Sequence, residues 1–268
     1  MLKLNVCNSC TRPHREHSQR TPKITCPEIW DDLAVTQLPA ASVYRLTVAA
    51  VADVGPRMRR ITLESEALAT LIALPGQDVA VHLADPQGGG VSRRYTIRNF
   101  DRSRCSFDLD VVTHGDAPGA RWGMTAAPGD VVEVFGPRGK VMPASALWQL
   151  FVGDESAIAA IAEMVAALPP SVEAEVILEV TDSDDEQPVR GERVDVTWLH
   201  RGSTRPEESR FVDDALRQRA IPDGDRHVYV FGESRLVRRL RDHLYERGLG
   251  ASEISAKGYW NAGRATSA

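Results

Sequence analysis

The chain has 268 residues, with 32 Lys or Arg against 37 Asp or Glu and a formal charge of -5. This length makes about two ordinary domains and excludes a disulfide-stapled mini-protein, while the mildly acidic balance argues against a nucleic-acid binder, which needs a basic face. No stretch approaches the roughly 18 apolar residues of a membrane span, and MLKLNVCNSC lacks the apolar core of a secretory signal, so a place in the cytoplasm, off any membrane, is expected; a monomer is the expected state.

Residues 1–41 are polar, interrupted by Pro13, Pro22, Pro27 and Pro39, and show neither helical nor strand periodicity. They are expected to form a disordered leader. Within it Cys7, Cys10, His14 and His17 offer the thiolates and imidazoles that zinc prefers, so a metal or redox role stays open. The three residues between the Cys pair and the His pair leave almost nothing to fold around an ion. Only Cys105 lies beyond residue 26, so the body of the protein is not built on disulfides.

Residues 42–144 contain six β-favouring runs, Val43–Val48, Met58–Leu63, Val79–Leu83, Arg94–Ile97, Phe107–Val112 and Val131–Phe135. Turn residues such as Gly55-Pro56, Pro75-Gly76 and Pro128-Gly129-Asp130 separate them, which predicts a six-stranded antiparallel Greek-key barrel. One helical turn is expected near Pro118 to Gly123.

Residues 145–268 alternate between the two periods. Strand Trp148–Val152 leads through Gly153-Asp154-Glu155-Ser156 into a helix whose apolar face runs from Ala157 to Leu168 before Pro169-Pro170. Strand Glu175–Val180, an acidic linker from Thr181 to Pro188, strand Asp195–Leu199, helix Arg210–Arg219, strand His227–Phe231 and helix Ser234–Arg247, stopped by Gly248, follow. This pattern predicts an open parallel sheet covered by helices, a fold class of β-barrel plus α/β.

A barrel followed by such a sheet can hold a flavin on the first unit and a nicotinamide nucleotide on the second. Arg93-Arg94-Tyr95-Thr96-Ile97-Arg98 reads as R-x-Y-[ST]-x-R, in which a guanidinium can grip a pyrophosphate while an aromatic ring two residues on lies against a planar heterocycle. A surface strand with solvated arginines is the alternative. Downstream, the strand through Val111 and Val112 ends in Thr113-His114-Gly115-Asp116-Ala117-Pro118-Gly119-Ala120, which opens a helical turn and offers backbone N–H groups to an anion. His114 by itself reads more readily as a structural turn residue than as a ligand.

Taken together, the chain from Val43 to Gly263 resembles the siderophore-interacting protein family, the ferric-siderophore reductases of the ferredoxin-reductase-like superfamily. The matches are Arg93-x-Tyr95-Thr96, His114-Gly115-Asp116, Arg121-Trp122, Gly153-Asp154-Glu155-Ser156-Ala157, Trp198-Leu199-His200-Arg201, Phe231-Gly232-Glu233-Ser234 and Lys257-Gly258-Tyr259-Trp260, in the family's order. The resemblance implies FAD contacts from Arg93, Tyr95, Thr96, Ile97, Val111, His114, Gly115, Gly119, Ala120 and Trp122, with Trp260 packed on the flavin side. It implies NADPH or NADH contacts from Gly153, Asp154, Glu155, Ser156, Arg201, Gly232 and Glu233, and a ferric siderophore met by Arg138 and Lys257. The implied activity passes electrons from NAD(P)H through FAD to Fe(III)-siderophore and releases Fe(II). A flavin reductase with another acceptor and a non-enzymatic siderophore-binding protein are the alternatives.

Two departures stand out. Ala117-Pro118-Gly119-Ala120 replaces the family's G-P-A-[ST], removing a hydroxyl beside the expected phosphate, and Asn261 replaces a basic residue after Tyr259-Trp260. The second unit lacks G-x-G-x-x-G, so Gly153 at a strand end is the expected substitute. Asp154 and Glu155 read either as helix-capping acids or as groups orienting a ring. Arg201 and Arg205 read either as readers of a ribose or its phosphate or as a solvated loop.

Overall fold

In a computed structural model, residues 40–84 and 89–262 are described. The leader, with Cys7, Cys10, His14 and His17, lies outside the described residues, apart from Ala40 and Ala41.

The first unit contains β1 (Ser42–Gly55), β2 (Met58–Glu64), β3 (Asp78–Ala84), β4 (Gly90–Thr96), β5 (Arg98–Asp101), β6 (Ser106–Val112), α1 (Pro118–Thr125) and β7 (Val131–Arg138). The strands pair antiparallel in the order β4-β3-β7-β1-β2-β6-β5. β4 and β5 stand at opposite ends of that order yet are joined by Ile97 alone, so one bent strand pairs with β3 through its first half and with β6 through its second. This bend closes the sheet into a barrel and accounts for a seventh segment where six runs were expected. Period-two alternation fills the interior: Leu46, Ile61, Leu63, Val81, Phe107, Leu109 and Val134 are each 1% exposed or less. Each such side chain contributes about 1.5–3 kcal/mol on removal from water.

The second unit contains β8 (Trp148–Asp154), α2 (Ile158–Ala166), β9 (Glu173–Val180), β10 (Val194–His200), α3 (Phe211–Gln218), β11 (Arg226–Glu233), α4 (Ser234–Glu246) and β12 (Ile254–Trp260). Its sheet is parallel, in the order β10-β9-β8-β11-β12. Phe151, Val176 and Phe231 pack with Ile158, Ile161 and Met164 of α2 on one face. Leu150, Val152 and Val230 pack with Val212 and Leu216 of α3 and Leu236, Leu240 and Leu244 of α4 on the other. α4 ends as expected, with Gly248 in the left-handed region at φ 85° and its N–H on the Tyr245 carbonyl. β12 is unexpected, since the small residues and Gly258 in Ile254-Ser255-Ala256-Lys257-Gly258 carry no clear strand signal.

Chain order reverses between β8 and β11, because β9 and β10 extend the sheet one way and β12 the other. In open α/β sheets, ligands bind outside the carboxyl ends of the strands at such a switch point. Here those ends carry Gly153-Asp154 and Gly232-Glu233.

Candidate functional site

A cleft of about 380 Å³ lies between the barrel and the carboxyl edge of the parallel sheet, within the ordinary range for small-molecule sites. The barrel lines it with Arg93, Arg94, Tyr95 and Thr96 of β4, Asp78 of β3, Asp110 of β6, His114, and Gly119 and Ala120 of α1. The second unit contributes Glu155, Ser156 and Lys257 to Asn261.

On the barrel side the Tyr95 ring packs against Trp122 with centroids 5.7 Å apart and planes tilted by 44°. Burial pushes its hydroxyl above the ordinary tyrosine range, so the phenol stays neutral. A Cβ on Gly119 would strike the Tyr95 Oη, so the ring can sit where it does only beside a glycine. α1 begins with Ala117, which provides no side-chain cap, and with Pro118, which has no N–H. The N–H groups of Gly119 and Ala120 therefore have no acceptor within the helix and form the positive end of its dipole at the cleft.

Beneath these groups runs a buried ionic layer. The Asp110 carboxylate, 1% exposed, receives Arg60 Nε at 2.7 Å and a short bond from Arg98. Asp78, 4% exposed, receives Arg94 Nε at 2.9 Å and Lys257 Nζ at 2.9 Å, so a carboxylate of the barrel holds a cation of the second unit across the cleft. The Lys257 ammonium also sits 5.1 Å from the centroid of the Tyr259 ring.

On the opposite side, Glu155 receives both terminal nitrogens of Arg201, at 2.6 and 2.8 Å, and stands 3.6 Å from His114 of the barrel. Burial alone would raise the Glu155 carboxyl, but His114 and Arg201 hold it below the usual range. Arg201 also donates to Thr181 Oγ1 at 3.0 Å, and its side chain is 4% exposed. Asp154 takes the capping role, accepting from the Ser156 N–H at 2.9 Å, while burial first and Glu155 second push its carboxyl up to about 6.

The cleft thus brings together Arg93, Tyr95, Thr96, His114, Gly119, Ala120, Glu155, Ser156, Lys257 and Trp260. Other expected residues stand elsewhere. Ile97 and Val111 are 4% and 1% exposed in the barrel core, because the bend after Thr96 and the alternation along β6 turn them inward. Gly115 occupies the turn before α1 at φ 79°, and Trp122 backs Tyr95. Gly153, Asp154, Gly232 and Glu233 are buried at the strand ends behind the lining. Arg201 points inward to Glu155, whereas Arg205 stays exposed on the loop. The Arg138 guanidinium lies 5.6 Å from the Phe135 ring centroid, outside the cleft lining. Asp78 and Asp110 were not anticipated. Their signals were an acid at the head of the apolar run Val79–Leu83 and an acid in β6 placed opposite Arg60.

Residues 146–263 match the family described as siderophore-interacting protein, and residues 84–141 match the siderophore-interacting FAD-binding domain. An uncharacterized protein of Mycobacterium tuberculosis is 35% identical over 185 residues, a match covering 64% of this chain and 65% of that protein's length. The ferric vibriobactin reductase of Vibrio cholerae is 29% identical over 187 residues, covering 67% of this chain and 68% of the reductase. The crystal structure of a siderophore utilization protein from T. fusca superposes with a TM-score of 0.79 at 30% identity, covering 85% of this chain and 96% of that one. The Amycolatopsis cytochrome P450 reductase, at 19% identity and a TM-score of 0.68 over 84% of this chain and 71% of its own, shares the ferredoxin-reductase-like fold. With both of its units matched in order, and a solved relative matched over nearly its whole length, the chain belongs to the siderophore-interacting protein family.

Proposed function

We propose that this protein is an FAD-dependent oxidoreductase that takes electrons from NADPH or NADH and reduces ferric iron held by a siderophore, working in the cytoplasm where the nucleotide is supplied. The observation that carries this reading is the convergence, on one cleft at a sheet switch point, of a guanidinium, an aromatic ring, open helix N–H groups and a cationic lip. These residues fit FAD: Arg93 and the N–H groups of Gly119 and Ala120 would hold its pyrophosphate, with Tyr95 and Thr96 along its ring. When bound, FAD supplies the conversion of a two-electron donor to one-electron delivery.

The chain's own residues position and bias the reactants. Lys257 lines the cleft with its ammonium held on Asp78, and it is the residue we assign to contact with an anionic chelate. Oxygen-donor chelators that suit Fe(III) hold Fe(II) more weakly, so reduction releases the metal without destroying the ligand. Arg201 is paired inward with Glu155, which favours Arg205, exposed on the same loop, for contact with a 2'-phosphate.

The test is steady-state reduction by the purified, FAD-loaded chain, with Fe(II) trapped by a ferrous chelator and ferric siderophores compared with simple ferric chelates and protein acceptors. Preferential reduction of ferric siderophores is expected. Turnover with protein acceptors alone would favour a flavin reductase with a different acceptor, and absence of turnover with every acceptor would favour a binding protein.

A further inference from the structure

Three motifs far apart in the chain meet on one carboxylate. Asp154 closes β8 and is 2% exposed. Its Oδ1 accepts from the N–H and the hydroxyl of Ser156, at 2.9 and 2.5 Å. Its Oδ2 accepts from the Glu233 N–H at the end of β11, at 2.8 Å, and from the indole Nε1 of Trp260 at the end of β12, at 2.9 Å. Gly232 has φ 129°, and a Cβ there would strike this carboxylate, so glycine is what lets Asp154 sit between the two strand ends. Trp260 is restrained a second time, because its carbonyl accepts the Ser234 hydroxyl at 2.8 Å and Gly258 leaves the room that hydroxyl occupies. The restrained ring lines the cleft.

A helix cap needs only Oδ1, and Ser or Asn would serve as well. Oδ2 is spent on two donors that take no part in starting the helix. A carboxylate removed from water is costly unless its oxygens are fully hydrogen-bonded, and this one is satisfied only because Trp260 and Glu233 reach it. The acid is therefore matched to the tryptophan.

We propose that Asp154 is a positioning residue that fixes the Trp260 ring as one wall of the cleft, setting the space in which the nicotinamide nucleotide must lie. This rests on the reading under Proposed function. With its N–H bound by Asp154, the indole offers the cleft an apolar surface at a fixed depth. Without the carboxylate, the indole loses the hydrogen bond that fixes its N–H.

The experiment compares the full chain with Asp154→Asn, Asp154→Ser and Trp260→Phe, and with each Asp154 variant combined with Trp260→Phe. Subtracting the emission of the matching Trp260→Phe protein isolates Trp260, and acrylamide quenching reports its exposure. The expected result for both Asp154 variants is a rise of about twofold or more in the Trp260 quenching constant, and a KM for the nicotinamide nucleotide raised about three- to tenfold with a smaller change in kcat. In the Trp260→Phe background the Asp154 substitutions change KM no further. Asp154→Ser keeps a hydroxyl for the Ser156 N–H and serves if Asp154→Asn does not fold. Unchanged quenching, or a KM effect that persists without Trp260, would overturn the proposal. If the parent chain reduces no ferric chelate the functional reading fails, and quenching alone then decides the positioning role.

Discussion

Arg57, in the turn between β1 and β2, donates to Asp185 of the second unit through Nε at 2.9 Å and through a terminal nitrogen at 2.5 Å, and to Asp182 at 2.5 Å. The acidic stretch between β9 and β10 is thus a contact surface and not a passive linker. Arg98 and Met58 reinforce it by holding Gln187, at 3.1 and 2.9 Å.

Arg57→Met should loosen that contact. Asp185 is 9% exposed and loses its cation, at a cost of about 1–2 kcal/mol, whereas Asp182 returns to water. Amide exchange should accelerate across residues 181–187 more than elsewhere. Exchange there unchanged from the parent would show that Arg57 does not hold the two units together.

Tyr229→Phe tests the segment between the units. The Tyr229 hydroxyl donates to the Met142 carbonyl at 3.2 Å and accepts the Ala144 N–H at 2.6 Å, and the ring is fully buried against Phe151. Removing that oxygen leaves a backbone N–H unpaired, at about 1–2 kcal/mol. A fall in Tm of about 2–4 °C per kcal/mol follows for a chain of this size. An unchanged Tm would mean the hydroxyl contributes nothing.

Ala120→Ser restores a hydroxyl at the uncapped start of α1, where Ala120 lines the cleft. One added hydrogen bond to a charged phosphate should tighten FAD binding about tenfold, measured by flavin fluorescence titration of the cofactor-free chain. Equal affinities would place the phosphate elsewhere.

The Asp154 carboxyl, pushed up to about 6 by burial first and Glu155 second, makes the Trp260 contact pH-dependent. The folded form holds this proton more tightly than the unfolded chain, whose carboxyl stays near 3.8, so the contribution favours folding at low pH and is lost as pH rises through about 6. At neutral pH the charged carboxylate accepts from Trp260; below about 6 the added proton competes for one oxygen. Glu155 is held below its usual range and stays charged through this window, and Glu179, raised by burial, lies on the same side. Trp260 emission, isolated by difference, should titrate near pH 6 in the parent and be flat in Asp154→Asn. A parent signal flat from about pH 5 to 8 would contradict the assignment.

Much of this arrangement was legible in the sequence because local rules wrote it. Alternation placed Leu46, Leu109 and Val134 inside the barrel, and the apolar faces of α2 and α4 predicted a covered sheet. Arg93 and Tyr95, two apart on β4, both line the cleft, but alternation pointed Thr96 to the other face and Ile97 to theirs, and at the bend it is Thr96 that lines the cleft and Ile97 that turns into the core. What escaped depends on partners distant in the chain. Asp78 is tolerable when buried because Arg94 and, 179 residues away in the chain, Lys257 both supply cations, and Arg201 turns inward to Glu155 and Thr181. β12 escaped because pairing with β11, and not propensity, makes its small residues a strand.

The most direct measurement is the visible spectrum of the purified full chain, before and after anaerobic addition of NADPH or NADH and then of a ferric siderophore. The expected result is a yellow protein with a flavin spectrum that bleaches with a nicotinamide nucleotide and recovers as Fe(II) appears. A colourless protein that FAD cannot reconstitute, or a flavin spectrum that neither nucleotide bleaches, would contradict the central claim.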